Sequence, residues 1–71
     1  MKLIEAVFIK PTDVGTSQFE AATGLKVCLS GGGSYDRIFG VRVEDRDAEA
    51  TAAKIREAFP GVACNVIQEG D

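Results

Sequence analysis

The residues best suited to chemistry in this chain are three consecutive glycines, Gly31–Gly33. Glycine-rich turns can hold an anion on their backbone N–H groups. Phosphate-binding loops of the Walker and dinucleotide types open a helix, whereas these glycines lead through Ser34 into a strand pattern. We therefore interpret the run as the tip of a hairpin, and we expect this tip to be mobile in the free protein. We expect Tyr35 and Arg37, at the end of this loop, to contact a partner, because Tyr and Arg often anchor interfaces.

The acidic residues and the cysteines form no catalytic or metal-binding pattern. The acidic cluster from Glu44 to Glu49 lacks the spacing of a calcium loop. We interpret it as helix capping and dipole compensation, with Asp45 as the N-cap. The chain has no histidine and no CxxC motif, so we expect Cys28 and Cys64 to be buried, reduced thiols rather than zinc ligands or nucleophiles. No enzyme activity, cofactor or metal is expected.

The first strand pattern, Leu3 to Ile9, is apolar on both faces, which is typical of a central strand. One face carries Ile4, Ala6 and Phe8. A two-layer domain covers only one face of its sheet, and a large exposed apolar patch usually marks an interaction site. We therefore expect another chain to cover the second face, which carries Leu3, Glu5, Val7 and Ile9.

Alternation and helical periodicity predict the remaining elements. Leu25 to Ser30 and Ile38 to Glu44 alternate on either side of the glycine-rich loop, as in a β-hairpin. Arg46 to Phe59 is a predicted helix that ends at Pro60-Gly61, and Val62 to Gln68 is the last strand. The apolar stripe of this helix consists of Ala48, Ala52, Ile55 and Phe59.

The segment from Thr12 to Gly24 is ambiguous. It fits a short helix from Gln18 to Thr23, capped by Ser17 and stopped by Gly24. It also fits a polar edge strand from Thr16 to Ala21.

If the segment from Thr12 to Gly24 forms the helix, the chain is predicted to be one α+β domain over residues 1–71, with the ferredoxin-like βαββαβ arrangement and a short first helix. The expected strand order is 4-1-3-2, which separates the two cysteines too widely for a disulfide. If the segment forms the strand instead, the alternative fold is a four-strand antiparallel meander followed by one helix and a closing strand.

The charge and hydropathy of the chain limit the classes of partner that it can bind. The net charge is −3 and there is no basic run, so direct nucleic-acid binding is not expected. No apolar run approaches the length of a membrane span, and the Glu5 carboxylate comes before any adequate apolar segment of a signal peptide. We therefore expect neither membrane insertion nor a secretory leader, and we expect a cytoplasmic protein.

These observations favour a small non-catalytic protein-binding module, such as an inhibitor that occupies a partner protein's surface. Anti-CRISPR proteins and other anti-defence inhibitors from phages and mobile elements have this size and character. The partner could also be a second copy of the chain. The alternative is a ferredoxin-like sensor of a small ligand, or an accessory subunit of a larger complex.

Overall fold

The chain forms the predicted α+β arrangement. The computed structural model describes residues 1–69. The strands are β1 (Lys2–Ile9), β2 (Leu29–Gly31), β3 (Asp36–Val43) and β4 (Ala63–Gln68), and the helices are α1 (Thr16–Thr23) and α2 (Ala48–Ala58), the latter preceded by a 3₁₀ turn, Asp45–Asp47.

The four strands form one antiparallel sheet in the order β2-β3-β1-β4. This is the predicted 4-1-3-2 order of a ferredoxin-like domain, with the apolar β1 in the centre. The central register places Ile4 opposite Val41 and Ala6 opposite Phe39. These residues lie on the covered face of the sheet, the face against which the two helices pack.

The hydrophobic core fills the space between the covered face and the helices. Its buried members are Ile4, Ala6, Phe19, Phe39, Val41, Ala48, Ala52 and Ile55. The predicted apolar stripe of α2 is therefore confirmed, although Phe59 is only half-buried. Phe59 retains exposure because it borders a cleft at one end of β1.

The ambiguous segment is a helix. The backbone N–H of Gly15 donates to the side chain of Gln18 (3.1 Å), and the helix starts at Thr16, so Ser17 is not its cap. It ends at Gly24, as predicted, because Gly24 adopts a left-handed conformation with φ +71° that favours glycine. The helix buries Phe19 completely, a core residue that the sequence patterns did not reveal.

The second strand is much shorter than predicted. Instead of Leu25 to Ser30, β2 spans only Leu29–Gly31. Two side chains of α1 bind the backbone of this segment. The N–H of Leu25 donates to the Thr23 hydroxyl (3.2 Å), and the N–H of Val27 donates to the Glu20 carboxylate (2.9 Å). Side chains thus take the donors that a strand ladder would use.

Two predictions about individual side chains were wrong. Asp45 is not the cap of α2, because it opens the 3₁₀ turn and its carboxylate pairs with the amino group of Met1 (3.0 Å). Cys28 is exposed and Cys64 half-buried, because each lies at or beside an edge strand. Both are free thiols.

Candidate functional site

The open face of the sheet is the face opposite the helices. The register assigns its residues from all four strands: Leu3, Glu5, Val7, Ile9, Leu29, Gly31, Asp36, Ile38, Gly40, Arg42, Ala63, Asn65 and Ile67. The face therefore brings together the four β1 residues that the sequence analysis selected. Most of its other side chains are apolar, and Ile9 (74%), Leu29 (45%) and Ile67 (39%) are strongly exposed.

Gly40 shapes the middle of the open face. A Cβ atom at this position would lie 3.1 Å from Leu3 Cδ1 and 3.1 Å from Leu29 Cβ, so both leucines lean over the glycine. Leu3 is consequently only 6% exposed, although no helix covers it. Of the two leucines, Leu29 is the one that can offer substantial contact area to a partner.

Glu5 lies beside a shallow depression of about 240 Å³ on this face. It is opposite Gly40 on β3, and the space above the sheet lies at Gly31, where an added Cβ would have no atom within 4 Å. The nearest cation along the face, Arg42, is occupied, because its Nε donates to the Glu69 carboxylate (2.8 Å). This hydrogen bond raises the pKa of Arg42. Within residues 1–69, neither ion pair involves Glu5.

The loop between β2 and β3 is held by hydrogen bonds at both ends. The Lys10 backbone N–H donates to the Tyr35 carbonyl (2.9 Å), the Lys10 ammonium to the Gly33 carbonyl (2.8 Å), and the Gly33 N–H to the Asp36 carboxylate (2.9 Å). Gly32 has φ +128°, and a Cβ there would overlap the backbone carbonyl of Asp36. The loop backbone is thus shaped locally, while the Tyr35 side chain is 85% exposed.

The structure separates Arg37 from the open face. Arg37 lies opposite Phe8, a residue of the covered face. Its guanidinium is over the ring of Phe39, 5.8 Å from the centroid, which is within the range of a cation–π contact. Arg37 is half-buried there, so its main observed contact is with the core rather than with Tyr35.

A cleft of about 470 Å³ at the loop end of β1 was not predicted. Its lining is mostly apolar and includes Phe8, Ile9, Val14, Phe59 and Val62. It forms because β4 begins at Ala63, opposite Val7, and leaves the last residues of β1 unpaired on that side. The sequence signal was Pro60-Gly61, which delays the start of the last strand.

The reactive side chains remain dispersed. Among residues 1–69, no three or more Asp, Glu, Cys or His side chains form a group that could hold a metal ion. Burial raises the pKa of the Cys64 thiol, and the positive charge of Arg56 offsets part of this rise. A raised pKa lowers the thiolate fraction, which is opposite to the activation of a nucleophilic cysteine.

Comparison of the chain with models of protein families, with curated proteins and with solved structures finds no match. No helix within residues 1–69 is long and apolar enough to cross a membrane.

Proposed function

We propose that this chain is a small non-catalytic protein-binding module that docks onto a partner protein through the open face of its sheet. The observation that carries the proposal is the combination of an apolar sheet face, uncovered in residues 1–69, with a Glu5 carboxylate that has no ion-pair partner there. Contiguous apolar surface of this kind is typical of interaction sites.

The depression beside Glu5 specifies the chemistry of the partner. The open space at Gly31 admits a long side chain, and the carboxylate at the wall of the depression favours a cation. A Lys or Arg of the partner would place its charge near Glu5 and its methylene stem against Leu29 and Ile38. Such a pair is strengthened when apolar contacts exclude water around it.

Tyr35 extends the contact surface beyond the sheet. It follows a loop backbone fixed by Lys10 and lies at the same end of β1 as the exposed Ile9. An exposed tyrosine on a shaped loop is a suitable anchor because it loses little conformational entropy on binding. Arg37 supports this end through its contact with Phe39 and can also meet the partner at the rim.

Within this class, an inhibitor that occupies a partner's surface is the specific function we propose. Small size, net negative charge and a single broad docking face suit a protein that acts by steric occlusion. An anti-CRISPR-like role is the form of this proposal that is simplest to test. Phage plaquing on bacteria that carry defined CRISPR–Cas systems would be restored by the wild type and by Ala50→Lys, but not by Val7→Lys.

Affinity capture with matched variants tests the general proposal. Val7→Lys and Glu5→Gln alter the open face, whereas Ala50→Lys adds a charge on the exposed side of α2. A true partner is recovered with the wild type and Ala50→Lys and lost with both open-face variants. If every protein recovered with the wild type is retained by Val7→Lys and Glu5→Gln, docking through the open face is wrong.

The cleft favours a second candidate, a small-ligand sensor. Its volume of about 470 Å³ lies within the usual range of ligand pockets, and its apolar lining suits a ligand with a hydrophobic body. A metabolite panel in a thermal-shift assay tests this function. A stabilising compound whose effect is lost in Val62→Trp, which fills the cleft, and kept in Glu5→Gln would favour the sensor over the binding module.

A further inference from the structure

The outer side of β4 is an unprotected sheet edge. Natural edge strands usually carry charges, proline or a bulge that discourages pairing with another strand. The six residues Ala63–Gln68 include no charged residue, proline or glycine, and their register with β1 is continuous. Val66 is 44% exposed. The opposite edge, β2, has only three residues, so β4 is the edge with the greater capacity for pairing.

Two hydrogen bonds establish which backbone groups of β4 point outward. The Lys10 N–H donates to Tyr35 on the β3 side, and the Glu69 N–H donates to Met1 on the β4 side. The backbone N–H and C=O groups of successive residues in an antiparallel strand point to alternate sides. The backbone groups of the odd-numbered residues of β1 therefore point to β4. Their partners in β4 are also odd-numbered. The N–H and C=O groups of Cys64, Val66 and Gln68 therefore point away from the sheet.

We propose that β4 is a self-association site, at which a second copy of the chain adds its own β4 in antiparallel orientation across a two-fold axis at Val66. In this register Val66 lies opposite Val66 of the second copy, and Cys64 lies opposite Gln68. An isologous contact of this kind closes as a dimer. The proposal goes beyond the docking function, because it uses the strand edge and leaves the open face accessible.

The charges on α2 favour a second copy over an unrelated strand. Glu49 and Arg56 are both exposed, and a spacing of seven residues places them about 20° apart on one side of the helix, about 10 Å along its axis. This is the side toward the β4 edge, because the opposite flank of the helix carries the buried Thr51 and α2 also contacts α1, and because Arg56 is near enough to Cys64 of β4 for its charge to lower the pKa of that thiol. α2 packs over β1 and β4.

The two-fold axis brings these charges into register. α2 runs antiparallel to β4, because it returns from the end of β3 to the start of β4, which is parallel to β3. The distance from Cys64 to Val66 along the strand is about 6.6 Å. The same distance along α2, measured from Arg56 back toward its N-terminus, reaches about Ala52. The axis therefore passes close to the midpoint between Glu49 and Arg56, and each Glu49 comes opposite Arg56 of the other copy.

Sedimentation velocity of the full chain over micromolar to millimolar concentrations tests the proposal. We expect a weak dimer, since a single strand pairing buries less than a standard interface. Glu49→Arg alone and Arg56→Glu alone each juxtapose like charges and should weaken the dimer by more than about tenfold, whereas the double variant should restore it to within about threefold. Ala50→Arg, on the far side of α2, is the matched control and should dimerise like the wild type.

Disulfide trapping provides a second measurement that does not depend on a destabilising variant. Opposing hydrogen-bonded residues lie about 5.5 Å apart between Cα atoms, within the range of a disulfide. Val66→Cys in a Cys28→Ser, Cys64→Ser background should therefore form a covalent dimer under mild oxidation, and Ala50→Cys in the same background should not. A wild type that stays monomeric at millimolar concentration would overturn the proposal. It would also be overturned if Val66→Cys and Ala50→Cys formed covalent dimers equally well, or if the Glu49→Arg, Arg56→Glu double variant did not recover dimerisation.

Discussion

The two faces of the sheet are made by alternate residues of the same strands, yet only one is covered. On β1, Ile4 and Ala6 are fully buried beneath the helices, whereas Ile9 on the other face is 74% exposed. Both faces are rich in apolar side chains, so composition alone does not separate core from surface. What separates them is that the two helices of a βαββαβ chain lie on the same side of the sheet.

The faces also differ in how their centres are filled. The covered face has Phe39 opposite Ala6, stacked on Phe19 with ring centroids 5.0 Å apart. The open face has Gly40 opposite Glu5, a residue without a side chain beside a carboxylate. The first arrangement excludes solvent, whereas on the open face a depression beside Glu5 stays open to solvent, as the proposed docking requires.

The largest effect should come from breaking the covered face. Phe19 is fully buried and contacts Phe8, Phe39 and Phe59. Phe19→Ala should cost about 3–5 kcal/mol of unfolding free energy, the range for a buried aromatic side chain. Ile9→Ala on the open face should cost less than about 1 kcal/mol in the same chemical denaturation experiment. Equal losses would show that the two faces are equally packed.

A smaller effect is expected in the loop that carries Tyr35. Gly32→Ala combines a positive φ with a Cβ only 2.8 Å from the Arg37 Cα and should cost about 1–3 kcal/mol. The control is Gly33→Ala, where the nearest atom to an added Cβ is 4.0 Å away, and its melting temperature should stay close to that of the wild type. If Gly32→Ala were as stable as the wild type, the loop would not hold Tyr35 in a defined position.

The smallest effect is expected for the ionisation of the Cys64 thiol on β4, an edge strand of the sheet. Burial raises its pKa, so the protonated form is favoured in the folded chain. The stability linked to this group is present below the ordinary thiol pKa and is lost as the pH rises through the raised value. In Cys28→Ser, iodoacetamide should alkylate folded Cys64 more slowly than the urea-unfolded chain, and the pH midpoint of the rate should be higher. Identical midpoints would contradict the burial.

The sequence predicted the strand order and the composition of both faces because each depends on alternation and connectivity. The central position of β1 followed from its two apolar faces, and the stripe of α2 followed from helical spacing. The predicted β2 failed for a different reason. Alternation from Leu25 is compatible with a strand, but the Thr23 hydroxyl and the Glu20 carboxylate take the backbone donors of Leu25 and Val27, and such tertiary contacts leave no periodic pattern.

The candidate site was predictable only in part. Glu5, Val7 and Ile9 do share an uncovered face, as their alternation requires. Burial of Leu3 depends on Leu29 leaning over Gly40, and the position of Arg37 depends on its contact with Phe39. The first contact joins residues of different strands, so it becomes visible only when the register is known, whereas Arg37 and Phe39 are two residues apart on β3 and alternation alone places them on one face. Gly40 was the available signal, since a glycine within a strand often marks a close approach or an open site.

A binding titration measures whether the open face is the surface that binds a partner protein. The partner recovered with the wild type should be purified and titrated by calorimetry with the wild type, Val7→Lys and Ala50→Lys. Val7→Lys should weaken binding by more than about 30-fold, equivalent to the hot-spot scale of about 2 kcal/mol, while Ala50→Lys should bind like the wild type. Wild-type affinity in Val7→Lys, with its fold intact by circular dichroism, would contradict docking through the open face.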